Sequence, residues 1–397
     1  MKKQVLVLNH FAVPLNQAGG TRHVELFNQL SGNWEATIVA ADRNLLSAKR
    51  VHTTSGSYVA VPTTPYRGSG LSRVMNWVSY AVNATWYGVR RRRIDVVYAS
   101  SPHLLTGLAG WLIARLRSAR FVLEIRDLWP SILVDVGLMR RTSFLVRLLH
   151  RIERFLYEHA DEIVVLARGS AWAIRETSTT AGPITFIPNG SDPMMFAAEG
   201  VRDELRSRVG LTGTVFVYAG AHGPANGLDY ILEAAADVHD DHPDVMVLLV
   251  GDGVEKARIV AEAERRELTN VRFLDPIPKG EMADLLRACD VGLHVLADVP
   301  LFRYGVSPNK VFDYMAAGLP VATNCPGEVT DVVDEAGAGF GVEPWDLSSA
   351  IRRMAAVTEE QRDIWGRSGR RFVERERSRA VLGRRLLEVL ERSVSAP

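Results

Sequence analysis

The chain has 397 residues, more than one ordinary hydrophobic core organises, and this length indicates two domains. Hydrophobic residues make up 47% and charged residues 23%, as in folded globular proteins, and the 47 basic side chains are balanced by 46 acidic ones, which argues against a nucleic-acid-binding protein. The two cysteines, Cys289 and Cys325, are too few for a disulfide framework or a cysteine-based zinc site.

The chain starts with a short apolar run, MKKQVLVLNHFAVP. We interpret it as a buried first strand rather than a signal peptide, because no small-residue cleavage site follows it. Nowhere in the sequence is there an apolar stretch of about 18 residues that could span a membrane. We therefore expect a cytoplasmic protein.

Short apolar runs alternate with helical patterns along the whole chain. The first array of predicted strands is 5–8, 37–40, 58–61, 95–99, 121–125, 162–166 and 184–187, with helices at 22–30, 71–89, 104–117 and 144–159 between them. The second array of predicted strands is 215–218, 246–250, 272–274, 291–295 and 321–323. Most runs lack alternation of apolar and polar residues, which is typical of parallel strands covered on both faces. The sequence therefore predicts two doubly wound α/β domains.

The turn pair Asn189-Gly190, with Pro188 before it and Pro193 after it, marks the predicted boundary between the domains. We assign 1–190 to the first domain, 191–369 to the second, and 370–397 to a C-terminal helical segment. Open parallel sheets bind their ligands beyond the carboxyl ends of the strands, so the residues that follow each strand are the candidate site residues.

Glycines follow the first strand of the chain and a strand of the second domain. Gly19 and Gly20 could let the backbone approach a diphosphate closely, although a plain turn is the commoner use of a glycine pair. Gly251, in the sequence G-D-G, is an equally weak signal alone. The absence of G-x-G-x-x-G after the first strand argues against a dinucleotide-dependent dehydrogenase.

The segment EIRDLWP carries three charged residues, Glu124, Arg126 and Asp127, at the end of a predicted strand. Charges clustered at this edge of a parallel sheet usually serve a ligand, so we interpret Arg126 and Asp127 as functional. The alternative is that Asp127 caps a helix and Arg126 is its surface partner. His103 begins a predicted helix, and we expect a structural role for it.

His222 follows the first strand of the second domain, between Gly220 and Gly223. The glycines allow the backbone close to a ligand. His222 could hydrogen-bond a phosphate or a sugar, or it could merely fill the loop.

The stretch LFRYGVSPNKVFDYMAAGLP (301–320) predicts a loop and then a helix, with Ser307 as N-cap and Pro308 at the first helical position. The start of such a helix offers free N–H groups to a phosphate. Lys310 lies in the first turn, with Asp313 one turn further on the same face. The pair suits a nucleotide diphosphate, with Lys310 at phosphate oxygens and Asp313 at ribose hydroxyls. The alternative is a capped helix with a solvated Lys310–Asp313 ion pair.

Two segments, 71–93 and 139–154, combine helical patterns of apolar and aromatic residues with many arginines, including Arg90 to Arg93. This composition predicts peripheral contact with an anionic membrane surface, and an ordinary amphipathic helix with a solvated face is the alternative.

Five segments, EIRDLWP, IPNGSD, AGAHGPANGL, VGDG and YGVSPNKVFDYMAAG, in this order, resemble those of the GT-B glycosyltransferases of family four. The likeness covers essentially the whole chain and is strongest to the bacterial subgroup that builds surface polysaccharides, such as the fucosaminyltransferases. It implies two Rossmann-like domains facing across a cleft, with the C-terminal helix crossing back to the first domain.

The resemblance also implies a reaction. Family members transfer a sugar from a nucleotide diphosphate, here UDP or GDP, with retention of configuration and without a metal or other cofactor. The second domain would hold the donor and the first domain the acceptor. We expect the acceptor to be a polyprenyl-diphosphate-linked sugar and the protein to lie on the inner face of the cell membrane. A nucleotide-sugar epimerase and a glycosyltransferase for a soluble natural product are the alternatives. A binding protein of the periplasmic type is disfavoured, because it would need a signal sequence.

The family's binding residues carry over only in part. Asp313 matches the second acid of the family's E-x7-E motif, which binds ribose, whereas the first acid falls at Gly305. The arginine and lysine that commonly bind the diphosphate fall at Ala221 and Asn226, and the first-domain histidine near the reacting sugar falls at about Ser100.

By elimination, we assign the diphosphate to Lys310, to the helix start at 307–309, and to His222 or Arg303. The full set of residues predicted to bind the donor is Gly19, Gly20, Gly220, His222, Gly223, Gly251, Arg303, Val306, Ser307, Asn309, Lys310 and Asp313. Catalytic roles are assigned to Lys310, which would neutralise the leaving diphosphate, and to Arg126 and Asp127, which would orient the acceptor or the sugar.

Overall fold

The computed structural model describes residues 2–17, 19–44, 50–51, 57–65, 70–135, 137, 139–196, 202–300, 302 and 305–395. The chain divides into two compact units. Unit 1 comprises Met1–Pro188 and Arg379–Pro397, and unit 2 comprises Asn189–Ser378.

Unit 1 is a parallel sheet with helices between its strands. The described strands are β1 (Lys3–Leu8), β2 (Trp34–Ala41), β3 (Tyr58–Val61), β4 (Val96–Ser101), β5 (Arg120–Ile125), β6 (Glu162–Val165) and β7 (Ile184–Phe186), in the order β3-β2-β1-β4-β5-β6-β7. The helices are α1 (Arg22–Phe27), α2 (Leu71–Val89), α3 (Leu104–Arg117), α4 (Ser131–Asp135), α5 (Phe144–His159) and α6 (Arg168–Thr177). Residues Val5 to Leu8 are buried, as expected for a strand in mid-sheet that is covered on both faces.

Unit 2 repeats this architecture. Its described strands are β8 (Thr214–Ala219), β9 (Val245–Val250), β10 (Val271–Leu274), β11 (Val291–His294), β12 (Val321–Thr323) and β13 (Gly339–Gly341), all parallel, in the order β10-β9-β8-β11-β12-β13. The helices are α7 (Arg202–Val209), α8 (Leu228–Val238), α9 (Lys256–Arg265), α10 (Lys279–Arg287), α11 (Asn309–Ala316), α12 (Glu328–Glu335), α13 (Leu347–Ala356) and α14 (Glu359–Phe372). The prediction of two doubly wound α/β domains is confirmed.

The segment after α14 returns the chain to unit 1. A π-helical turn (Val373–Arg377) ends at Ser378, where the backbone is extended, and α15 (Arg379–Ser395) follows. Phe372 and Val373 are still buried in the core of unit 2, so the return begins at Arg379 rather than at 370.

The C-terminal helix α15 is part of the core of unit 1. Its buried side chains Leu382, Leu386, Val389 and Leu390 pack into the same cluster as Leu26 and Trp34. The buried Arg379 donates from Nε to Glu25 Oε2 over 2.7 Å. Among the described helices, none is both long enough and apolar enough to cross a membrane.

Candidate functional site

The ends of β8 and β9 in unit 2 approach each other so closely that only glycine fits. Gly251 has a φ of +150°, and a Cβ there would lie 1.9 Å from the carbonyl oxygen of Gly220. Gly220 in turn donates its N–H to the carbonyl of Val250 over 2.9 Å. Gly220 and Gly251 thus form a floor of bare backbone at the carboxyl edge of the sheet.

Lys310, in the first turn of α11, extends over this floor. Its Nζ lies 3.8 Å from the centroid of the Tyr218 ring, and a Cβ on Gly220 would lie 2.7 Å from Nζ. The Nζ atom is buried and has no hydrogen-bond partner within the described part of the chain. Burial lowers the pKa of Lys310 to about 7. An ammonium group held in this way has strong affinity for an anion that can pair with it.

Two buried histidines lie near Lys310. His222 follows β8, and neither of its ring nitrogens has a partner among the described residues. His294 is the last residue of β11. Its Nδ1 bonds Thr323 Oγ1 (2.8 Å), and its Nε2 has no described partner. Burial lowers the pKa of His222 to about 4, and it lowers that of His294 as well; the charge of Lys310 contributes in both cases. Both imidazoles are therefore neutral near pH 7, and His222 has two ring nitrogens and His294 has one to offer a ligand.

The start of α11 differs from the prediction. The helix begins at Asn309, so Pro308 rather than Ser307 occupies the N-cap position. The Ser307 hydroxyl does not cap the helix because it accepts the backbone N–H of Asn189 (2.9 Å), and the Ser307 carbonyl accepts the Asn189 side-chain amide. The N-cap residue Pro308 makes no side-chain cap hydrogen bond to α11, and the start of a helix without a cap offers N–H groups to a ligand.

Other predicted residues in this loop have separate environments. The Oδ1 atom of Asn309 is buried without a partner in the described residues, whereas Val306 packs its side chain against the core of unit 2. Arg303 lies outside the described residues.

Asp313 does not pair with Lys310. Its Oδ1 accepts the hydroxyl of Ser191 (2.5 Å) and lies 3.4 Å from Nζ of Lys279. The alternative of a solvated Lys310–Asp313 ion pair is therefore wrong. The carboxylate is half-buried and held by Ser191 and Lys279, one turn of α11 away from Lys310.

The remaining predicted glycines lack a comparable geometry. A Cβ at Gly223 would meet only the Asn226 side chain, at 3.5 Å, so nothing local requires glycine there. In unit 1, Gly20 bridges to Ala12 and its carbonyl accepts the N–H of Val13, and Gly19 before it has a φ of +142°. These two glycines close the loop after β1 back on itself.

Glu124 of EIRDLWP lies inside β5 and is fully buried. Four side chains contact its carboxylate: Arg22 (3.2 Å), His23 (2.8 Å), Tyr98 (2.6 Å) and Ser100 (2.8 Å). Burial alone would raise the pKa of Glu124, but His23 and Arg22 outweigh it and hold the pKa well below its usual range. Glu124 is thus an internal anchor, and only Arg126 and Asp127 of the three charged residues follow the strand.

Arg126 is half-buried and Asp127 is exposed. The Asp127 carbonyl accepts the N–H of Trp129 over 3.0 Å, and α4 does not begin until Ser131. Asp127 is therefore too far from the helix to cap it, and that alternative interpretation is wrong. Its carboxylate stands at the carboxyl edge of the sheet of unit 1.

Sequence reasoning missed several residues of these sites. His294 is the last residue of β11, and the rule that ligands bind beyond strand ends could have found it. Ser191 and Lys279 have no local signal, because only the fold brings them to Asp313.

Two family models match the chain, one to each unit. The model described as "Glycosyl transferase 4-like domain" matches residues 19–190, and the model described as "Glycosyl transferases group 1" matches residues 213–359.

Curated relatives share about a quarter of the aligned residues. WbjE of Pseudomonas aeruginosa, which is named as a glycosyltransferase, is 26% identical over 294 residues, or 73% of this chain and 72% of the relative. WcaI of Escherichia coli K12, which is named for a glycosyl transferase of colanic acid biosynthesis, is 26% identical over 262 residues, or 64% of this chain and 63% of the relative.

Solved structures share the fold over the full length. Sucrose-phosphate synthase from Thermosynechococcus elongatus has a TM-score of 0.81 at 17% identity and covers 100% of both chains. HepE of Anabaena, solved with UDP and glucose, has a TM-score of 0.71 at 17% identity and covers 98% of this chain and 99% of its own. The expected GT-B fold, with two Rossmann-like domains, is confirmed.

Proposed function

We propose that this chain, whose two units match glycosyltransferase family models and which has the GT-B fold, transfers a sugar from a UDP-linked donor, with retention of configuration, to a hydroxyl of a lipid-linked sugar. One observation carries the donor half of this proposal. Four buried nitrogen atoms without a partner in the described structure, on Lys310, His222 and His294, surround the glycine floor at the start of α11. A diphosphate supplies the negative charge and the acceptor oxygens that these atoms lack.

In this proposal Lys310 has the main catalytic role. As the bond between the sugar C1 and the diphosphate oxygen breaks, negative charge develops on the leaving group, and the ammonium and the N–H groups of α11 stabilise it. The acceptor oxygen forms its bond to C1 on the face that the leaving group departs from, and its proton passes to a diphosphate oxygen. Because Lys310 and the N–H groups of α11 offset part of this charge, the proposed reaction needs no metal ion.

We assign the ribose of the donor to Asp313. Ser191 and Lys279 fix one carboxylate oxygen of this residue, which orients the group towards hydroxyl donors. UDP rather than GDP is favoured because the similar protein HepE was solved with UDP. Arg126 and Asp127, at the carboxyl edge of unit 1, are assigned to orient the acceptor.

A nucleotide screen tests the donor assignment. We expect UDP to raise the thermal midpoint of the protein more than GDP does, because a ligand that binds only the folded state stabilises it. Incubation with a UDP-sugar and a lipid-linked acceptor should then give a product whose anomeric proton signal shows retention. Stabilisation by neither nucleotide, or release of a free modified nucleotide sugar without an acceptor, would contradict the proposal.

The lipid part of the acceptor assignment rests on one face of unit 1. Helix α3 packs against both α2 and α5, and these three helices expose large apolar side chains: Leu71, Val74, Met75, Val78, Val82 and Trp86 on α2, Leu112 and Leu116 on α3, and Phe144, Leu145 and Leu148 on α5. Residues 71–159 hold fourteen arginines against six carboxylates, in a chain that is nearly neutral overall. Exposed apolar residues beside excess arginine suit an anionic bilayer surface.

Vesicle binding tests this face. We expect the protein to sediment with vesicles of equal parts phosphatidylglycerol and phosphatidylcholine, to bind pure phosphatidylcholine weakly, and to dissociate in high salt. Trp86→Glu should weaken sedimentation, since Trp86 is 57% exposed on this face, whereas Trp172→Glu, with Trp172 62% exposed on α6, serves as the matched control. Equal sedimentation of both variants and the unaltered protein would exclude the face from membrane contact.

A further inference from the structure

A cluster of imidazole and indole rings lies in unit 1, where β1 and β4 end beside α2. His10 follows β1 and stacks on the rings of Phe11 (4.4 Å between centroids) and Tyr80 (4.3 Å). Its Nδ1 lies 2.8 Å from Nε2 of His103, and both histidines are almost fully buried. His103, for which we expected only a structural role, is therefore half of a buried imidazole pair.

The pair is neutral at physiological pH. Burial lowers the pKa of His10 to about 3, and it also lowers the pKa of His103 well below its ordinary value, with Arg73 contributing to both shifts. One proton lies between the two rings, so Nδ1 of His103 is an N–H donor in one tautomer of the pair and a bare acceptor in the other. A hydroxyl group can serve either tautomer because it both donates and accepts.

The outer wall of the cluster consists of indole rings and an arginine. Trp77 stacks on His103 (4.8 Å, 20° between planes) and meets Trp129 edge-on at 5.4 Å. The Arg73 guanidinium lies 5.5 Å from the Trp77 ring. Both indoles are half-buried rather than enclosed, so the wall is accessible from outside.

Three neighbouring polar atoms in this wall have no partner among the described residues: Nδ1 of His103, Nε1 of Trp77 and Nε of Arg73. Buried polar atoms without partners are rare in folded proteins, and each costs about 1–3 kcal/mol. Three of them on contacting side chains indicate a place where a ligand supplies the missing hydrogen bonds.

We propose that His103, Trp77 and Arg73 form a sugar-binding site in unit 1, in which the indoles contact the apolar face of a pyranose and the unpartnered nitrogens bind its hydroxyls. This inference rests on the proposed function in taking that sugar to be part of the acceptor. A purely aromatic or lipid ligand would leave the N–H groups unpaired, and a phosphate would require more cations than Arg73 provides.

Ligand-observed saturation-transfer NMR tests the site, with methyl β-glucoside and N-acetylglucosamine as probes and UDP present at saturation. We expect transfer to at least one sugar. His103→Phe keeps the ring but removes its nitrogens, and Trp77→Leu removes the indole; each should weaken sugar binding about three- to ten-fold, the equivalent of one stacking contact or hydrogen bond. Trp172→Ala, which removes an exposed tryptophan of α6, is the matched control.

The affinity for UDP, measured by calorimetry, should stay the same in all variants, and circular dichroism checks that each one folds. If Trp77→Leu fails to fold, Trp77→Phe replaces it. The proposal is overturned if the unaltered protein shows transfer to neither sugar, or if both site variants bind sugar as tightly as the control. Loss of UDP binding by the unaltered protein would instead refute the donor assignment, so the two failures are distinguishable.

Discussion

Replacing Lys310 by methionine should abolish donor binding and at the same time stabilise the free protein. The methionine side chain keeps an unbranched stem beside Tyr218 but carries no charge. The buried ammonium without a partner is costly when no ligand is bound, and it is the group that we expect to attract the diphosphate. One substitution should therefore shift binding and stability in opposite directions.

The size of the stability gain follows from the pKa. A decrease from 10.5 to about 7 corresponds to roughly 4–5 kcal/mol at about 1.4 kcal/mol per unit, and the lost contact with the Tyr218 ring offsets about 1–2 kcal/mol of it. We expect Lys310→Met to raise the free energy of unfolding at pH 7 by about 3 kcal/mol. Between pH 7 and about 10.4 the unfolded wild-type chain holds a proton that the folded chain has lost, so wild-type stability rises with pH and the difference shrinks.

Binding has the opposite pH dependence. The diphosphate needs the charged lysine, so the affinity of the unaltered protein for UDP should fall about ten-fold per pH unit above 7, or by about 1.4 kcal/mol per unit. Calorimetric titrations with UDP at pH 7, 8 and 9 measure this slope, and urea unfolding at the same pH values measures stability. Arg352→Met, which removes a partly exposed cation paired with Asp241, is the control for loss of a cation in unit 2. A pH-independent affinity, or destabilisation by Lys310→Met, would refute the reasoning.

Four further substitutions, one of them a control, test the site and its supports. Asp313→Ala should weaken UDP binding by about 10-fold or more while leaving the acceptor KM within about two-fold, since one or two hydrogen bonds to a charged group are lost; equal losses for both substrates in steady-state kinetics would contradict the ribose assignment. Gly251→Ala should lower the free energy of unfolding by more than about 3 kcal/mol in urea titrations, because its Cβ would clash with the Gly220 carbonyl, whereas Gly223→Ala should cost less than about 1 kcal/mol. Glu124→Leu should destabilise the protein by about 3–5 kcal/mol by leaving Arg22 buried without its carboxylate, and an unchanged urea midpoint would show that Glu124 is not the anchor we describe.

The fold was predictable because buried parallel strands leave a strong local signal. Runs such as 215–218 and 246–250 are apolar throughout, and each lies within an observed strand. The exception is β13, whose sequence Gly339-Phe340-Gly341 is too short and glycine-rich to signal a strand. Its position follows only from pairing with β12.

The candidate sites were predictable only where side chains follow strands in sequence. Lys310, His222 and Gly251 could be found because the strand-end rule applies to them. Hydrogen bonds between distant residues could not be predicted. Ser307, the predicted N-cap, bonds instead with Asn189, more than a hundred residues away, so its hydroxyl does not cap α11. Hydrogen-bond competition between distant segments is decided by the fold rather than by local sequence.

The position of α15 has a consequence for how the chain acquires its structure during synthesis. Unit 2 is complete once Ser378 has been made, whereas the core of unit 1 still lacks Leu382, Leu386, Val389 and Leu390 at that moment. The apolar groove formed by α1, β4 and β5 that α15 will fill must therefore remain open while the whole of unit 2 leaves the ribosome. The unit whose synthesis begins first is therefore completed only after the other one.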